Sequence, residues 1–332
     1  MNRFASAIFA FVAFESLLAA SASNADVASP TPAPAAASAA PFQEFDIKVP
    51  AANARYITRG PDGAMWFTEN DADAIGRVTA QGEVSNFPVP NAASAPSVIT
   101  QGPDGELWFT ERLGNLVGQL TTKGAFKAYK PPTPFSAPLG IASGPDGNLW
   151  FTEYIGDKVA QMTPAGKMLE FPLGAQSRAT EIVAGPDGNL WFTEQSGNKI
   201  GRLTPAGTLT EFALLGDNNY PASLVDGPDG AVWFTEVGSG KIGRITMAGA
   251  MKSFLIPTRH SGPGGIAVGP DGNIWFTETN AGQLGQVNVS TGRIRELALP
   301  NTSAGPVGIA LGPDNALWIV ESNANKIGRF VP

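Results

Sequence analysis

The chain of 332 residues contains no cysteine and a single histidine, His260. The absence of cysteine excludes disulfide bonds, thiolate zinc sites and a cysteine nucleophile. One histidine cannot form a histidine-based metal cluster, and any reaction that needs an imidazole base has His260 as its candidate. We therefore take His260 as the candidate catalytic residue. The alternative is a solvent-facing histidine in a loop.

Positive charge is also scarce, with 22 Lys and Arg against 29 Asp and Glu and a net charge of −7. This balance repels the phosphate backbone of nucleic acid, so we expect no nucleic-acid partner. Charged residues make up only 15% of the chain, whereas Gly and Pro number 39 and 28. That composition is typical of a globular protein with many tight turns.

Long hydrophobic runs are missing as well, and the apolar run at the start, Phe4 to Phe14, is too short to span a membrane. It follows Arg3 and precedes small residues, a pattern that predicts a cleavable signal peptide over residues 1–25. Residues 26–41 are rich in Ala and Pro and predict a disordered linker. We therefore expect a periplasmic or secreted protein without a transmembrane segment, whose folded domain covers residues 42–332.

What the sequence does have is a repeat that contains every tryptophan of the chain. The seven indoles are Trp66, Trp108, Trp150, Trp191, Trp233, Trp275 and Trp318. Their spacing of 41 to 43 residues is the length of a four-stranded propeller blade. The sequence therefore predicts an all-β, seven-bladed β-propeller with four-stranded antiparallel blades.

Each copy contains a Gly-Pro-Asp-Gly turn between two short strands, a third strand such as Lys199 to Arg202, and a fourth strand. The seventh copy stops after its third strand, at Phe330. The segment from Phe42 to Ile47 matches the pattern of an outer strand, so we expect this N-terminal strand to complete the last blade and close the ring. We expect a monomer.

The order of the strands defines two faces of the ring. The Gly-Pro-Asp-Gly hairpins lie on one, here called the hairpin face; the ends of the second strands and the starts of the first strands lie on the other, here called the upper face. Each second strand ends on the upper face in a glutamate: Glu69, Glu111, Glu153, Glu194, Glu236, Glu278 and Glu321. These carboxylates suggest oxygen ligands for a cation such as Mg²⁺, with Glu321 and Glu278 as the candidates. The alternative, favoured by their presence in every blade, is pairing with a Lys or Arg of the following strand or with loop N–H groups.

Residues that differ between the copies are more informative about a binding site. On the upper face the candidate ligand-binding residues are Arg55, Tyr56, Tyr154, Arg178, Glu181, Tyr220 and Arg259, with Arg112 in a neighbouring loop. Arginine and tyrosine at the mouth of a pocket bind anionic or aromatic groups, so the expected partner is a small molecule or a peptide. The alternative is ordinary solvated loop residues.

The combination of G-P-D-G-x-L-W-F-T-E with N-K-I-G-R-I-T-x-x-G resembles the virginiamycin B lyase (streptogramin lyase) family over residues 42–332. This resemblance implies enzymes that open cyclic depsipeptides by elimination across the ester, with a divalent metal such as Mg²⁺. It also implies a histidine base and a metal carboxylate in an acidic-Pro-His-Gly-Ile element. Here that element reads Gly305-Pro306-Val307-Gly308-Ile309, and only Glu321 matches a family metal ligand.

Three functions follow from these observations. The leading one is a binding propeller for a small molecule or peptide on the upper face. The second is a divergent metal-dependent carbon–oxygen lyase, or a lactone or ester hydrolase, that opens cyclic depsipeptides of the streptogramin B type. It would use His260 as base and Glu321 with Glu278 as metal ligands. The third is a platform for protein interaction.

Overall fold

The computed structural model describes residues 42–332; the predicted signal peptide and linker lie outside the described residues. This part of the chain forms seven four-stranded antiparallel sheets, each a blade of the propeller, which confirms the predicted fold class. Among these residues no helix has the length and apolar character needed to cross a membrane.

The strands of each blade follow one another outward from the central channel. Blade 1 contains β2 (Ala54–Arg59), β3 (Met65–Glu69), β4 (Ala74–Val78) and β5 (Val84–Pro88); blade 2, β6 (Pro96–Gln101), β7 (Leu107–Glu111), β8 (Leu116–Leu120) and β9 (Phe126–Tyr129); blade 3, β10 (Pro138–Ser143), β11 (Leu149–Glu153), β12 (Lys158–Met162) and β13 (Met168–Pro172); blade 4, β14 (Ala179–Ala184), β15 (Leu190–Glu194), β16 (Lys199–Leu203) and β17 (Leu209–Ala213). Blade 5 contains β18 (Pro221–Asp226), β19 (Ala231–Glu236), β20 (Lys241–Thr246) and β21 (Met251–Leu255); blade 6, β22 (Pro263–Val268), β23 (Ile274–Glu278), β24 (Gln283–Val287) and β25 (Ile294–Ala298); blade 7, β26 (Pro306–Leu311), β27 (Leu317–Glu321), β28 (Lys326–Phe330) and the N-terminal β1 (Phe42–Asp46).

The N-terminal strand closes the ring as predicted. Strand β1 pairs antiparallel with β28, from Phe42 opposite Phe330 to Asp46 opposite Lys326. The pairing leaves no open edge between the first and last segments of the chain.

The tryptophans pack between blades. Trp66 of blade 1, for example, lies in one cluster with Leu107 and Phe109 of blade 2. Trp318 of blade 7 packs with Phe67 of blade 1, so the same contact also joins the two ends of the chain. All seven indoles are at most 1% exposed. Burial of so many large rings is the main favourable term that holds the blades together.

Each indole also makes a polar contact that the repeat pattern alone did not predict. Its Nε1–H donates to the aspartate of the Gly-Pro-Asp-Gly hairpin, at 3.0 Å from Trp191 to Asp187, and the same bond recurs in all seven blades at 2.9 to 3.1 Å. The aspartate therefore ties the hairpin to the core as well as favouring the turn. In the last hairpin Asn315 replaces the usual Gly and adopts a φ of 57°, a conformation that Asn tolerates better than most residues.

Replacing Trp191 with Phe is expected to lower the free energy of unfolding by about 1–3 kcal/mol, because the hydrogen bond from the indole N–H to the charged carboxylate of Asp187 is lost. Urea denaturation of the variant measures this loss. The matched control is Leu169→Ala at an exposed position of an outer strand, where we expect little change. Equal stability of Trp191→Phe and wild type would contradict the role of this bond.

Candidate ligand-binding site

The innermost strand of every blade carries a β-bulge near its start. In blade 4 the register shifts between Ala179 and Ile182, and the N–H of Glu181 in the bulge donates to Thr193 Oγ1 at 3.1 Å. Thr193 Oγ1 in turn lies 2.8 Å from the carbonyl of Ala222 in blade 5. The threonine of the Trp-Phe-Thr-Glu motif thus supports the bulge and links it to the next blade. A bulge re-aims the side chain that it carries, here toward the channel.

The residue in the bulge differs from blade to blade. In chain order the seven residues are Tyr56, Val98, Gly140, Glu181, Ser223, Gly265 and Gly308. Three are glycines, which leaves room at the axis of the ring for the larger side chains of the other blades.

Three polar side chains from this set meet across the channel. Tyr56 Oη donates to Glu181 Oε2 at 3.3 Å, and Ser223 Oγ donates to the same oxygen. Blade 1 lies opposite blades 4 and 5 in a ring of seven, so the Tyr56 side chain crosses the axis to reach Glu181. A cavity of about 180 Å³ adjoins this bridge, and aliphatic side chains such as Ile141, Ile182 and Ile266 line the rest of it.

The bridge places an ionisable carboxyl group in an apolar setting. Burial raises the pKa of Glu181 to about 7, while the hydrogen bonds from Ser223 and Tyr56 act in the opposite direction. Burial, with the nearby carboxylate of Glu181, holds the pKa of Tyr56 well above its usual value. At neutral pH the phenol is therefore protonated and donates to the carboxyl group, whose charged form is disfavoured by burial.

Also on the upper face, half-buried residues from four successive blades form what we call the arginine arc: Arg55, Arg112, Tyr154 and Arg178. The guanidinium of Arg178 lies 5.4 Å from the centre of the Tyr154 ring, and its Nη1 donates to the Tyr154 carbonyl at 3.3 Å. Burial raises the pKa of the Tyr154 phenol, and the positive charges of Arg178 and Arg112 work in the opposite direction. Burial lowers the pKa of Arg55, and the charge of Arg112 adds to this effect. The arc thus places three guanidinium groups, which influence one another or the Tyr154 phenol, over blades 1–4.

The other predicted ligand-binding residues lie elsewhere on the upper face. Tyr220 is 44% exposed and borders a separate recess of about 400 Å³ with Gln195, Asn198 and Asp217. Arg259 is exposed. The structure therefore brings five of the seven predicted residues together, at the bridge and the arc, and leaves Tyr220 and Arg259 apart from them.

The predicted catalytic residue, His260, lies exposed in the loop between β21 and β22. Its backbone has a φ of 56°, and its carbonyl accepts a hydrogen bond from Asn280 Nδ2 at 3.2 Å. It does not line the channel cavity.

The repeated glutamates are buried within their blades, and the two metal candidates, Glu278 and Glu321, are each 0% exposed in different blades. We expected these carboxylates to pair with the basic residue of the following strand, but three of those lysines pair with outer-strand glutamates instead. Lys158 contacts Glu170, Lys199 contacts Glu211 and Lys326 contacts Glu44, at 2.5 to 2.8 Å. Burial, with the neighbouring Glu170 or Glu44, raises the pKa of Glu153 and of Glu321 to about 7.

These donors do not fit a Mg²⁺ site. Residues 42–332 contain no group of three or more His, Cys, Asp or Glu side chains able to hold a metal ion. At the position of the family's metal carboxylate, Gly305 has a φ of 60°, and an added Cβ would meet Asn323 Nδ2 at 2.5 Å. Gly305 therefore supplies no carboxylate at this position, and a side chain added there would have to displace Asn323.

Ser223 is the residue that the sequence analysis missed. Its signal was available, because aligning the copies on the tryptophan places Tyr56, Glu181 and Ser223 at one repeat position, with blade 1 opposite the adjacent blades 4 and 5. The repeat period shows that the ring has seven blades, and in a ring of seven each blade faces two known blades across the axis.

The chain is thus a seven-bladed β-propeller made from one repeat, with its unlike residues converging at the channel mouth on the upper face. It belongs to the Virginiamycin B lyase family, whose sequence profile matches residues 36–179 and 173–332.

Curated relatives match only a short segment. Virginiamycin B lyase of Bordetella pertussis is 43% identical over 54 residues, and that of Bordetella bronchiseptica 41% over the same length. The match covers 16% of this chain and 18% of each of those proteins, less than a fifth of their length.

Solved structures match the whole ring. A streptogramin B lyase structure superposes with a TM-score of 0.83 at 36% identity, covering 87% of this chain and 96% of that one. Virginiamycin B lyase from Staphylococcus aureus gives 0.84 at 35%, covering 88% and 99%. A catalytically inactive histidine-to-alanine variant of the S. aureus enzyme, with quinupristin, gives 0.83 at 36% over the same shares.

Proposed function

We propose that this protein is a secreted or periplasmic binding propeller that holds a small molecule or short peptide on its upper face. One observation carries the proposal: Tyr56, Glu181 and Ser223 meet across the channel, and Arg55 of the arginine arc adjoins Tyr56. The predicted signal peptide supports the location.

The residues that repeat in every blade account for the ring itself, since they fill the core and tie the hairpins. The side chains of the bridge and the arc each occur in one blade only, and their contacts do not recur around the ring. Both carry polar groups that burial makes costly to charge. A concave site with a few convergent polar groups at the axis of a propeller is a typical place for a ligand.

The elimination chemistry of the family is not the function that we propose. Val307 stands where the resemblance requires the histidine base, and a missing general base lowers a rate by about 10²–10⁴. Gly305 supplies no metal carboxylate. We therefore assign no step through Mg²⁺.

Affinity selection tests the binding function. Wild-type protein is mixed with a tetrapeptide library, complexes are isolated by gel filtration, and retained peptides are identified by mass spectrometry. Replacing Tyr154 with Ala is expected to weaken the affinity of the retained peptides about tenfold, a loss of about 1.4 kcal/mol. Leu169→Ala, on an exposed outer strand, is the matched control. No retained peptides, or equal retention by Tyr154→Ala, would contradict upper-face binding.

Quinupristin, the compound named with the S. aureus relative, tests the alternative of a divergent lyase. Elimination opens the ring without a change in mass and hydrolysis adds one water, so the products are separated by chromatography and identified by tandem mass spectrometry. We expect quinupristin to be recovered as the intact ring with Mg²⁺ present. A linear product whose formation is lost in His260→Ala would establish the alternative instead.

A further inference from the structure

We propose that the ligand of the upper face carries an anionic group, a carboxylate or a phosphate, which Arg55, Arg112 and Arg178 bind together. This inference rests on the proposed binding function and names the chemical class of its ligand. It departs from the overall charge of the protein, which is −7, and so depends on the local arrangement of the arc.

The arc brings like charges together across blades. Arg112 and Tyr154 follow the last residue of the second strand in blades 2 and 3, whereas Arg178 directly precedes the first strand of blade 4. These loops occupy the same face, as the bond from the Tyr154 N–H to the Ala137 carbonyl at 3.1 Å shows for blade 3. Three guanidinium groups from three blades therefore border one site, with the Tyr154 phenol between two of them.

Other arginines of the protein form ion pairs. On the hairpin face Arg77, Arg244 and Arg329 contact Asp62, Asp229 and Asp314 at 2.6 to 2.7 Å. Within the described part of the chain, no ion pair of 4.0 Å or less includes Arg55, Arg112 or Arg178. The three guanidinium groups of the arc thus form no ion pair within residues 42–332, unlike these three arginines of the hairpin face.

The acidic groups near the arc are few. The exposed carboxylate of Asp71 favours the charged form of Arg55. Asp157 acts on Tyr154, but its two oxygens already accept the N–H groups of Gln176 and Arg178 at 2.8 and 3.1 Å. Glu181 accepts hydrogen bonds from Tyr56 and Ser223.

Burial and like charge disfavour the charged form of arginines in the arc. Burial lowers the pKa of Arg55, with Asp71 acting against this effect and the like charge of Arg112 adding to it. Burial also lowers the pKa of Arg112, while Tyr154 acts in the opposite direction. A bound anion relieves this repulsion and replaces the lost hydration of the guanidinium groups. Guanidinium groups bind carboxylate and phosphate through paired N–H donors, whereas a neutral or cationic ligand gains nothing from them.

The test uses the full chain and four probes: succinate, its neutral diamide, pyrophosphate and inorganic phosphate. Isothermal titration at low ionic strength is expected to detect at least one anion and not the diamide. The anion that binds more tightly identifies carboxylate or phosphate as the group recognised. Arg112→Gln and Arg178→Gln are each expected to weaken that binding about tenfold, in keeping with hydrogen bonds to charged groups. Arg59→Gln, an exposed arginine at the other end of β2 on the hairpin face, is the matched control.

Anion binding that falls with added salt, is lost in the arc variants and persists in Arg59→Gln establishes the inference. Equal binding of the diamide, equal loss in Arg59→Gln, or no binding of any anion overturns it. The proposed function has its own outcome, because neutral or basic tetrapeptides retained through Tyr154 would leave upper-face binding intact while the anionic class fails. Circular dichroism of each variant confirms that the ring is folded.

Discussion

A chain that begins at Lys48 is expected to lose cooperative folding. This deletion removes β1 and Ile47, and with them the outer strand of blade 7. Phe45 stacks on Trp318 with ring centroids 5.6 Å apart, and Ile47 is 5% exposed in the cluster that joins blades 7 and 1. Loss of a buried large side chain costs about 3–5 kcal/mol, and the total stability of a domain is only about 5–15 kcal/mol.

Thermal unfolding followed by circular dichroism measures this effect. A chain that begins at Pro41 is the control and should unfold like the full-length protein. Phe45→Ala is a milder variant, which should stay folded with a free energy of unfolding lowered by about 3 kcal/mol. If the chain beginning at Lys48 unfolded with the same cooperativity and midpoint as the control, closure by the N-terminal strand would not stabilise the ring.

The second large effect is a loss of stability as the pH rises from about 5 to about 8. Burial raises the pKa of Glu69, Glu153 and Glu321 from 4.5 to about 7. The folded protein therefore keeps protons that the unfolded chain releases between these values, and unfolding becomes more favourable as the pH rises through this range. Each such group contributes a slope of about 1.4 kcal/mol per pH unit.

The hairpin aspartates affect stability at low pH instead. Burial works against their charged form, but hydrogen bonds from the tryptophan and from nearby donors lower the pKa of Asp187 and of Asp229 below 3.8. Their contribution is present above this value and is lost as the pH falls further. The two sets together predict maximum stability at about pH 4–5.

Urea denaturation across this pH range measures the profile. Glu153→Gln keeps the shape of the protonated carboxyl group without its titration, so its stability should fall less steeply with rising pH than that of the wild type. Glu83→Gln, a glutamate exposed in a hairpin-face turn, is the control and should follow the wild type. A wild-type profile that is flat or rises from pH 5 to pH 8 would contradict the raised pKa values.

The fold was predictable because the repeat specifies it many times over. One tryptophan spacing fixes the blade, and its seven occurrences fix the ring. The unpaired third strand at Phe330 and the orphan strand at Phe42 determine how it closes. Even the exceptional Asn315 followed from the backbone conformation that its turn requires.

The site was only partly predictable, because the sequence shows which face a residue lies on but not how far it lies from the axis of the ring. Strand order placed Arg55, Tyr154 and Tyr220 on the same face. It did not give their distance from the axis, so Tyr220 was grouped with residues that it does not join. The contact of Tyr56 with Glu181 depends on a bulge that turns both side chains into the channel. The lysines pair with glutamates of the outer strands, and the repeated glutamate of the second strand does not predict these pairs.

Amide hydrogen exchange of the full chain, with and without the tetrapeptides that it retains, tests most directly whether the convergent residues of blades 1–4 form the working surface. We predict protection in residues 52–59, 111–116, 153–158 and 174–183, with little change in the Gly-Pro-Asp-Gly hairpins. Protection confined to the hairpin face, or to blades 5–7, would contradict this assignment.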